Sequence, residues 1–276
     1  MKKIGFRLSI VLILIWSLAP VYWALRTSLL PAGELTSTPI KYFPFSLSGE
    51  NYSQLLGFSA QQNIWAQFKD AMVNSLISAL GATIIVIIIS IFAGYAFGRL
   101  DFKGKNIIFG MVLVTMALPA YAVMIPLYKI LISMHLIDTQ VGITLIYTSA
   151  FAPLAIWLMR SFFMAIPKEL EEAALVDGAS RLRSLWTILP MALPGLIAVA
   201  ILTFLNSWSQ FVIPLVFAPE QSKPLPVLIT EFVGKNAVNY GLMTAAGVLT
   251  IIPPILIVLF LNKYLISGLT AGSVKG

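Results

Sequence analysis

Long uninterrupted apolar runs are the feature of this sequence that most limits its fold. A helix that crosses the hydrocarbon core of a membrane needs about 20 mostly apolar residues, and several stretches of the chain reach that length. We predict membrane spans at residues 8–28, 71–97, 107–134, 141–163, 191–214 and 241–265. Charged residues make up 11% of the chain, whereas a soluble domain usually has about 25%. The predicted fold class is therefore an all-α membrane protein with six transmembrane helices.

The first apolar run follows Lys2, Lys3 and Arg7 and has two interpretations. A signal peptide has an apolar core of about 7–15 residues and a small-residue cleavage site. The run is longer than that and lacks such a site, so we interpret it as an uncleaved first span. Cytoplasmic loops of membrane proteins carry an excess of Lys and Arg. These residues fall mainly in segments on the same side as the N-terminus, which predicts that both termini are cytoplasmic.

The spans lack the groups that would drive transport or catalysis. Ion-coupled transporters commonly hold acidic residues within their spans, and here the middle of each span is almost free of charge. A phosphate-binding loop needs G-x-x-x-x-G-K-[ST]; in the nearest string, GRLDFKGKN at 98–106, the glycines are one residue too far apart. There is no cysteine and one histidine. We predict no catalytic residue, no metal site and no bound cofactor, so another chain must supply any energy.

Mildly polar residues within the spans are the candidates for lining a pathway through the membrane. The densest cluster is NSWSQ at 206–210. From it we predict four lining residues: Asn206, Ser207, Trp208 and Gln210. Such side chains also commonly form hydrogen bonds between helices, so that alternative stays open.

One charged segment interrupts this apolar chain between the fourth and fifth spans, at 167–190. Pro167 suits a helix start, and the acids that follow it favour the positive end of the helix dipole. Gly178 provides the left-handed residue that ends a helix, and Ser180 can cap a second one. The second helix is predicted to carry an apolar stripe at Leu182, Leu185, Trp186 and Leu189.

The first of these helices is predicted to have one narrow face made of Leu170, Ala173, Ala174 and Asp177. Small side chains allow another protein to approach the helix backbone closely. The segment is therefore either a rigid docking element on the cytoplasmic side or a solvated connector, and the residues alone leave both open.

The string IPKELEEAALVDGAS…WTILP resembles the EAA motif of permeases from binding-protein-dependent ABC importers. That motif reads E-A-A-x-x-x-G and later I-x-L-P. Its positions match Glu172, Ala173, Ala174, Gly178 and Ile188, but the ending ILP is one residue shorter. The string FFMAIPKELEEAA resembles the carbohydrate branch of these permeases. The C-terminal LISGLTAGSVKG resembles the tail of the smaller permease subunit in the maltose-type branch.

This resemblance implies a permease subunit in a bacterial or archaeal cytoplasmic membrane that imports a sugar, oligosaccharide or related polyol or glycoside. The implied partners are a second homologous permease, two ATP-binding cassette subunits that hold ATP and Mg, an extracytoplasmic solute-binding protein, the sugar and membrane lipid. Nucleic acid is not implied, because Lys and Arg in cytoplasmic loops account for the net charge of +7.

The resemblance also assigns roles to residues. An EAA-type coupling helix would contact the ATPases through Glu169, Glu172, Ala173, Ala174, Asp177, Gly178 and Arg181. A cytoplasmic tail at 266–276 would reach the ATPases through Thr270, Gly272 and Lys275. An outer loop would contact the solute-binding protein through Glu220, Gln221, Ser222 and Lys223. Three alternatives are an ABC permease for an amino acid or polyamine, a secondary transporter, and a membrane-embedded enzyme.

Overall fold

The computed structural model describes residues 2–35, 42–43, 46–59, 62–233 and 238–272, without the side chains at 2–4, 32, 62, 120 and 262–272. Within these ranges the chain is nearly all helical, and the only β-pairing is an isolated bridge between Val233 and Val238. The α-helices are α1 Lys2–Ser28, α2 Glu50–Leu55, α3 Gln62–Arg99, α4 Lys105–Thr115, α5 Ala120–Ser133, α6 Gln140–Ala165, α7 Lys168–Val176, α8 Arg181–Ile188, α9 Leu193–Trp208, α10 Val212–Phe217, α11 Leu225–Glu231 and α12 Tyr240–Gly272. Two 3₁₀ helices cover Ala32–Glu34 and Leu189–Ala192.

Five helical segments in the described ranges are long and apolar enough to cross a membrane. They are Gly5–Ser28, Asn63–Arg99, Gln140–Ala165, Arg181–Trp208 and Tyr240–Leu261. The region predicted as the third span, 107–134, instead forms the two shorter apolar helices α4 and α5. Their junction at 116–119 ends with Pro119, which caps α5 in an extended conformation. A proline lacks the amide that would continue the helix, which explains the break.

The predicted fifth span, 191–214, is also interrupted. Helix α9 ends at Trp208, residues 209–211 are not helical, and α10 then begins at Val212. At its other end, α8 and α9 are joined by the 3₁₀ helix Leu189–Ala192. A 3₁₀ helix rises about 2.0 Å per residue against 1.5 Å in an α-helix. The ILP ending, which is one residue shorter than I-x-L-P, thus overlaps a 3₁₀ helix, in which each residue covers more length than in an α-helix.

The chain divides into two compact units, and the first consists of Met1–Val73 and Lys223–Pro253. In this unit α2 packs on the end of α1, because the Asn51 side-chain amide donates to the Ser28 carbonyl at 3.0 Å. The hydroxyls of Ser28 and Tyr52 share a second hydrogen bond of 2.7 Å. A Cβ atom at Gly241 would lie 2.7 Å from Asn51 Nδ2, so α12 begins in close contact with α2.

The second unit, Asn74–Ser222 and Pro254–Gly276, is built around the parallel helices α3 and α6. The residue numbers of contacting pairs increase in the same direction along both helices, from Asn74 beside Gln140 to Arg99 beside Ile166. Helix α9 runs antiparallel to α6 and contacts it closely, since a Cβ at Gly195 would lie 2.4 Å from the Phe162 ring. Buried side chains form one core cluster around Met159 and Phe163 and a second around Tyr147.

Two glycines allow α3 to approach α6. A Cβ at Gly94 would lie 2.6 Å from Met159 Cβ and 3.1 Å from the Arg160 backbone nitrogen. One turn further on, a Cβ at Gly98 would lie 3.2 Å from Phe163 Cβ. Small residues four positions apart commonly form such contacts between membrane helices, because close packing supplies attraction that apolar lipid does not.

Candidate functional site

The charged segment at 167–190 folds as two helices joined by a tight turn, here called the elbow (168–188). Helix α7 starts directly after Pro167 and ends at Val176, and Gly178 in the following turn has a φ of +83°. The amides of Asp177, Gly178 and Ala179 donate to carbonyls in the last turn of α7. The Ser180 side chain then accepts from the Arg183 amide and caps α8. The glycine and the serine therefore have the local roles that their sequence positions indicate.

Glu171 is the charged residue that joins the elbow to the spans. Its side chain is 6% exposed and its Oε2 lies 3.4 Å from Nε of Arg99, whose side chain is 2% exposed. The Tyr95 hydroxyl donates to Glu171 Oε1 at 2.6 Å, and Nη1 of Arg181 lies 3.5 Å from the same oxygen. One carboxylate therefore connects the end of α3 with both helices of the elbow.

Arg99 also holds the chain between α6 and α7. Its Nη2 donates to the carbonyl of Ile166 and, at 3.5 Å, to that of Pro167. The last carbonyls of a helix lack partners within it and favour a positive charge. At the end of α6, Arg99 supplies both a hydrogen-bond donor and a positive charge, and the charge of Arg99 is neutralised by Glu171. Arg181 differs from Arg99 because its side chain is 63% exposed, so water weakens its pairing with Glu171.

The opposite face of α7 is exposed to solvent. Five of the residues assigned to ATPase coupling lie at exposed positions there and in the following turn: Glu169, Glu172, Ala173, Asp177 and Gly178. Ala174 is half-buried, and Arg181 contacts Glu171 at the edge of the buried cluster. The elbow therefore has one charged face fixed to the spans and one acidic, alanine-containing face without a covering element in the described chain.

The apolar stripe predicted for α8 is divided between two sides. Leu185 is buried and Leu189 half-buried, whereas Leu182 and Trp186 are exposed. The buried face consists of Ser184, Leu185 and Ile188. The difference arises because α8 packs against the α3–α6 core through a narrow face.

Sequence reasoning missed Glu171, Tyr95 and Arg99 as members of this site. Tyr95 and Arg99 are more than 70 positions away from Glu171 in the chain, and no periodicity connects them. One signal in the sequence could have indicated this site. Helix α7 contains three acidic residues, and one face of the helix must pack against the spans. That face requires a basic partner for any acid on it.

The four predicted pathway residues occupy different environments. Gln210 lines a cavity of about 850 Å³. Asn206 is exposed and its amide donates to the Leu202 carbonyl. Ser207 and Trp208 are buried within the chain, and the Trp208 ring stacks on Phe204 at 5.5 Å.

The cavity lies where two helices are interrupted, since its wall includes Met116 before α5 and residues 209–211 before α10. Polar groups and aromatic rings face it from Thr115, Tyr121, Ser149, Ser209, Gln210 and Phe211. Among the described residues, no charged side chain lines it. Such a wall can donate and accept hydrogen bonds and can stack rings on the faces of a neutral molecule.

The remaining assigned residues lie in loops and at the C-terminus. In the second unit Glu220 and Gln221 are exposed and Ser222 is buried, whereas in the first unit Lys223 pairs with Glu231. Thr270 and Gly272 lie in the last turn of α12, where side chains are not described, and Lys275 lies outside the described residues. No group of three or more Asp, Glu or His side chains in the described ranges could hold a metal ion.

Comparison with known proteins identifies the family. Residues 87–270 match the family described as the inner membrane component of binding-protein-dependent transport systems. The chain belongs to this family. The predicted resemblance to ABC importer permeases is thereby confirmed, and a member of such a system works with a solute-binding protein and an ATPase.

Related proteins match over nearly their whole length. The chain is 33% identical to the sulfoquinovosyl glycerol transport system permease protein SmoH of Agrobacterium fabrum, covering 96% of this chain and 91% of that protein. It is 32% identical to the arabinooligosaccharides permease AraQ of Bacillus subtilis, covering 99% and 96%. It is also 32% identical to the trehalose/maltose permease MalG of Thermococcus litoralis, covering 100% and 98%. These names agree with the predicted carbohydrate branch.

A solved structure shares the fold. It is a chain from the crystal structure of a bacterial ABC transporter involved in the import of the acidic polysaccharide alginate. The TM-score is 0.79 at 22% identity, and the match covers 95% of this chain and 96% of that one.

Proposed function

We propose that this chain is one of two permease subunits of an ATP-driven importer for a neutral sugar or glycoside, and that the elbow receives the movement of the ATPases. The observation that carries the proposal is the division of α7 into two faces. Glu171 fixes one face to α3 and α8, while Glu172, Ala173 and Asp177 are exposed on the other. A rigid element that is attached to spans and open to a partner can transmit a rigid-body movement.

The six-span topology is supported by the way α4 and α5 continue one another. At 1.5 Å per residue they are about 16 and 21 Å long, and together they exceed the roughly 30 Å of hydrocarbon. Helix α4 starts beside the end of α3, where Lys105 Nζ donates to the Leu100 carbonyl, and α5 ends at the turn before α6. The pair therefore runs opposite to α6, as an interrupted third span would.

The proposed orientation places both termini and the elbow in the cytoplasm. It is supported by the Lys and Arg excess on that side and by the contacts within the second unit. The α3–α4 junction meets the elbow at one end of α6, and the 220–222 loop meets the α5–α6 turn at the other. A chain with six spans also requires the α3–α4 junction and the elbow to lie on one side of the membrane and the α5–α6 turn and the 220–222 loop on the other.

A sugar is favoured by the cavity wall and by the relatives, and the uncharged cavity wall favours a neutral one. Hydroxyls, an amide and aromatic rings suit the hydroxyl groups and apolar faces of a sugar, and charged side chains are absent from the described wall. Interrupted helices commonly border substrate sites near the middle of a membrane. We propose that Gln210 belongs to the pathway lining, with Asn206, Ser207 and Trp208 close to it in the chain. The relatives named above are permeases for sugars or glycosides.

The proposed assembly contains a second homologous permease and two ATP-binding cassette subunits, which hold ATP and Mg. The coupling residues Glu169, Glu172, Ala173, Ala174, Asp177 and Gly178 would contact an ATPase, with Arg181 beside them. On the other side, a solute-binding protein would meet Glu220, Gln221, Ser222 and Lys223. This chain would provide half of the pathway and no catalytic group.

Glu172→Lys tests the coupling role. Glu172 is exposed on α7, so its replacement should leave the fold intact while reversing a charge at the proposed ATPase contact. We expect sugar uptake and ATPase stimulation by the loaded binding protein to fall by about tenfold or more, which corresponds to ~1.4 kcal/mol of lost coupling. Both are measured on the purified transporter in lipid vesicles.

The matched control is Asp101→Lys, which makes the same change of charge on a fully exposed side chain outside the elbow. It should retain normal uptake. Equal uptake by the Glu172→Lys transporter would contradict the coupling role. Uptake that persists after cellular ATP is exhausted would contradict an ATP-driven importer altogether.

Truncation after Gly268 tests the proposed tail contact, which includes Thr270, Gly272 and Lys275. We expect the shortened transporter to assemble but to respond less to the loaded binding protein, because a contact between tail and ATPase is lost. The measurement is the stimulated ATPase rate at saturating binding protein. A full response would remove the tail from the mechanism.

A further inference from the structure

The turn between α5 and α6 contains two residues in a backbone conformation that side chains other than glycine seldom adopt. His135 has φ of 56° and Asp138 has φ of 54°. Asp tolerates the left-handed region better than most residues. The Asp138 amide donates to the Phe217 carbonyl at 2.9 Å, so the turn is tied to the end of α10.

The Asp138 carboxylate accepts three consecutive backbone amides from the 220–222 loop. Gln221 donates to Oδ2 at 2.8 Å, and Ser222 and Glu220 donate to Oδ1 at 3.1 and 3.3 Å. The Ser222 hydroxyl also donates to the Asp138 carbonyl at 3.1 Å. Hydrogen bonds to an ionised acceptor are stronger than neutral ones, and consecutive amides form a natural anion-binding concavity.

The other side of the same loop is fixed by two amide side chains. Asn74 Nδ2 donates to the Gln221 carbonyl at 3.0 Å, and Gln140 Nε2 donates to Asn74 Oδ1 at 2.6 Å. These bonds hold the backbone of the loop. The side chains of Glu220 and Gln221 stay exposed, while that of Ser222 is buried.

We infer that Asp138 is a positioning residue that holds the 220–222 loop in the conformation that contacts the solute-binding protein. The inference rests on the proposed function. A loop ordered before binding avoids the entropy loss that a mobile loop undergoes when its partner docks. Because the Asp138 carboxylate accepts from the backbone amides of the loop, the exposed side chains of Glu220 and Gln221 remain available to the partner.

The test compares variants of the complete transporter in lipid vesicles, with the binding protein and its sugar added in increasing concentration. Asp138→Gly keeps the positive φ but removes every acceptor of the side chain. We expect it to raise the binding-protein concentration for half-maximal ATPase stimulation by about tenfold and to leave the maximal rate unchanged. Asp138→Asn keeps one acceptor oxygen and the backbone preference, so it should give a smaller increase.

His135→Gly is the matched control, because it changes an exposed residue of the same turn with nearly the same φ. It should behave as the unaltered transporter. Hydrogen exchange at the amides of residues 220–222 gives a second readout, and it should accelerate in Asp138→Gly alone. A general loss of folding would instead lower the maximal rate and accelerate exchange along all helices, which would overturn the positioning role.

The outcomes separate the two proposals. A wild-type transporter that no binding protein stimulates contradicts the proposed function and the inference with it. A stimulated wild type whose half-maximal concentration is unchanged in Asp138→Gly overturns the inference alone. The double variant Asp138→Gly with Gln221→Ala should raise the half-maximal binding-protein concentration by less than the product of the two separate increases, because both changes act on the same loop contact. Independent effects would also overturn the inference.

Discussion

Replacing Glu171 with alanine is expected to destabilise the folded chain by about 3 kcal/mol and to abolish sugar uptake. The change removes the carboxylate that faces Arg99, whose side chain is 2% exposed. Removing one partner of a buried ion pair typically costs about 3–5 kcal/mol, since the other charge remains buried without compensation. The lower end applies because Arg99 retains the Ile166 and Pro167 carbonyls as acceptors.

The loss of uptake follows from the position of Glu171. Tyr95 and Arg99 at the end of α3 and Arg181 at the start of α8 all contact this one side chain. Without it α7 is attached to the spans mainly through the chain on either side. Movement of an ATPase would then displace the elbow without moving α3. Basal ATPase activity should therefore remain while its stimulation by the loaded binding protein is lost.

Glu172→Ala is the matched control, since it removes the same group from the next residue, which is exposed. It should leave the thermal unfolding temperature of the detergent-purified chain nearly unchanged. The double variant Arg99→Met with Glu171→Leu removes both buried charges and should recover part of the lost stability, because apolar pairs can replace buried ion pairs. Equal unfolding temperatures for Glu171→Ala and Glu172→Ala would refute the structural role.

The elbow was predictable because its signals are local. Gly178 and Ser180 act through their own backbone and their near neighbours, so the residue types suffice to place the turn. The apolar runs were equally direct, since the length of a span is set by membrane thickness. The motif resemblance, confirmed by the family match, then supplied what local physics left open about the partners.

The helix interruptions and the polar contacts between distant parts of the chain could not be predicted in the same way. Pro119 breaks the region 107–134, yet Pro126 and Pro153 lie inside continuous helices. A proline therefore indicates a possible break, and packing decides whether the break occurs. The contacts made by Glu171 and Asp138 join residues more than 70 positions apart. In both places the sequence identified the exposed neighbours but not the residue that fixes them, the buried Glu171 in one and the half-buried Asp138 in the other.

Gly94→Val is expected to have the second large effect, by forcing α3 and α6 apart. The added Cβ would lie 2.6 Å from Met159 Cβ and 3.1 Å from the Arg160 backbone nitrogen. Neither atom is the far end of a flexible side chain, so relief requires one helix to move. Overpacking of a core typically costs about 1–3 kcal/mol and sometimes more. We expect a lower yield of folded chain in membranes and a lower unfolding temperature.

Two other glycines, Gly98 and Gly110, extend this prediction to a ranking of three substitutions. A Cβ at Gly98 would meet Phe163 Cβ at 3.2 Å, and one at Gly110 would meet nothing within 4 Å. Valine should therefore be most damaging at position 94, intermediate at 98 and nearly neutral at 110, as measured by thermal unfolding in detergent. A ranking that follows helix propensity alone would give three similar effects and would contradict the close-packing interpretation.

The same substitution should also weaken coupling. Gly94 directly precedes Tyr95, which donates to Glu171, on the same helix α3. Moving this part of α3 away from α6 displaces Tyr95 and Arg99 relative to the elbow and lengthens their contacts with the Glu171 carboxylate. Transporter that does fold should then hydrolyse ATP with little response to the binding protein. Close packing of α3 on α6 is thus the physical condition under which the Glu171 contacts can form.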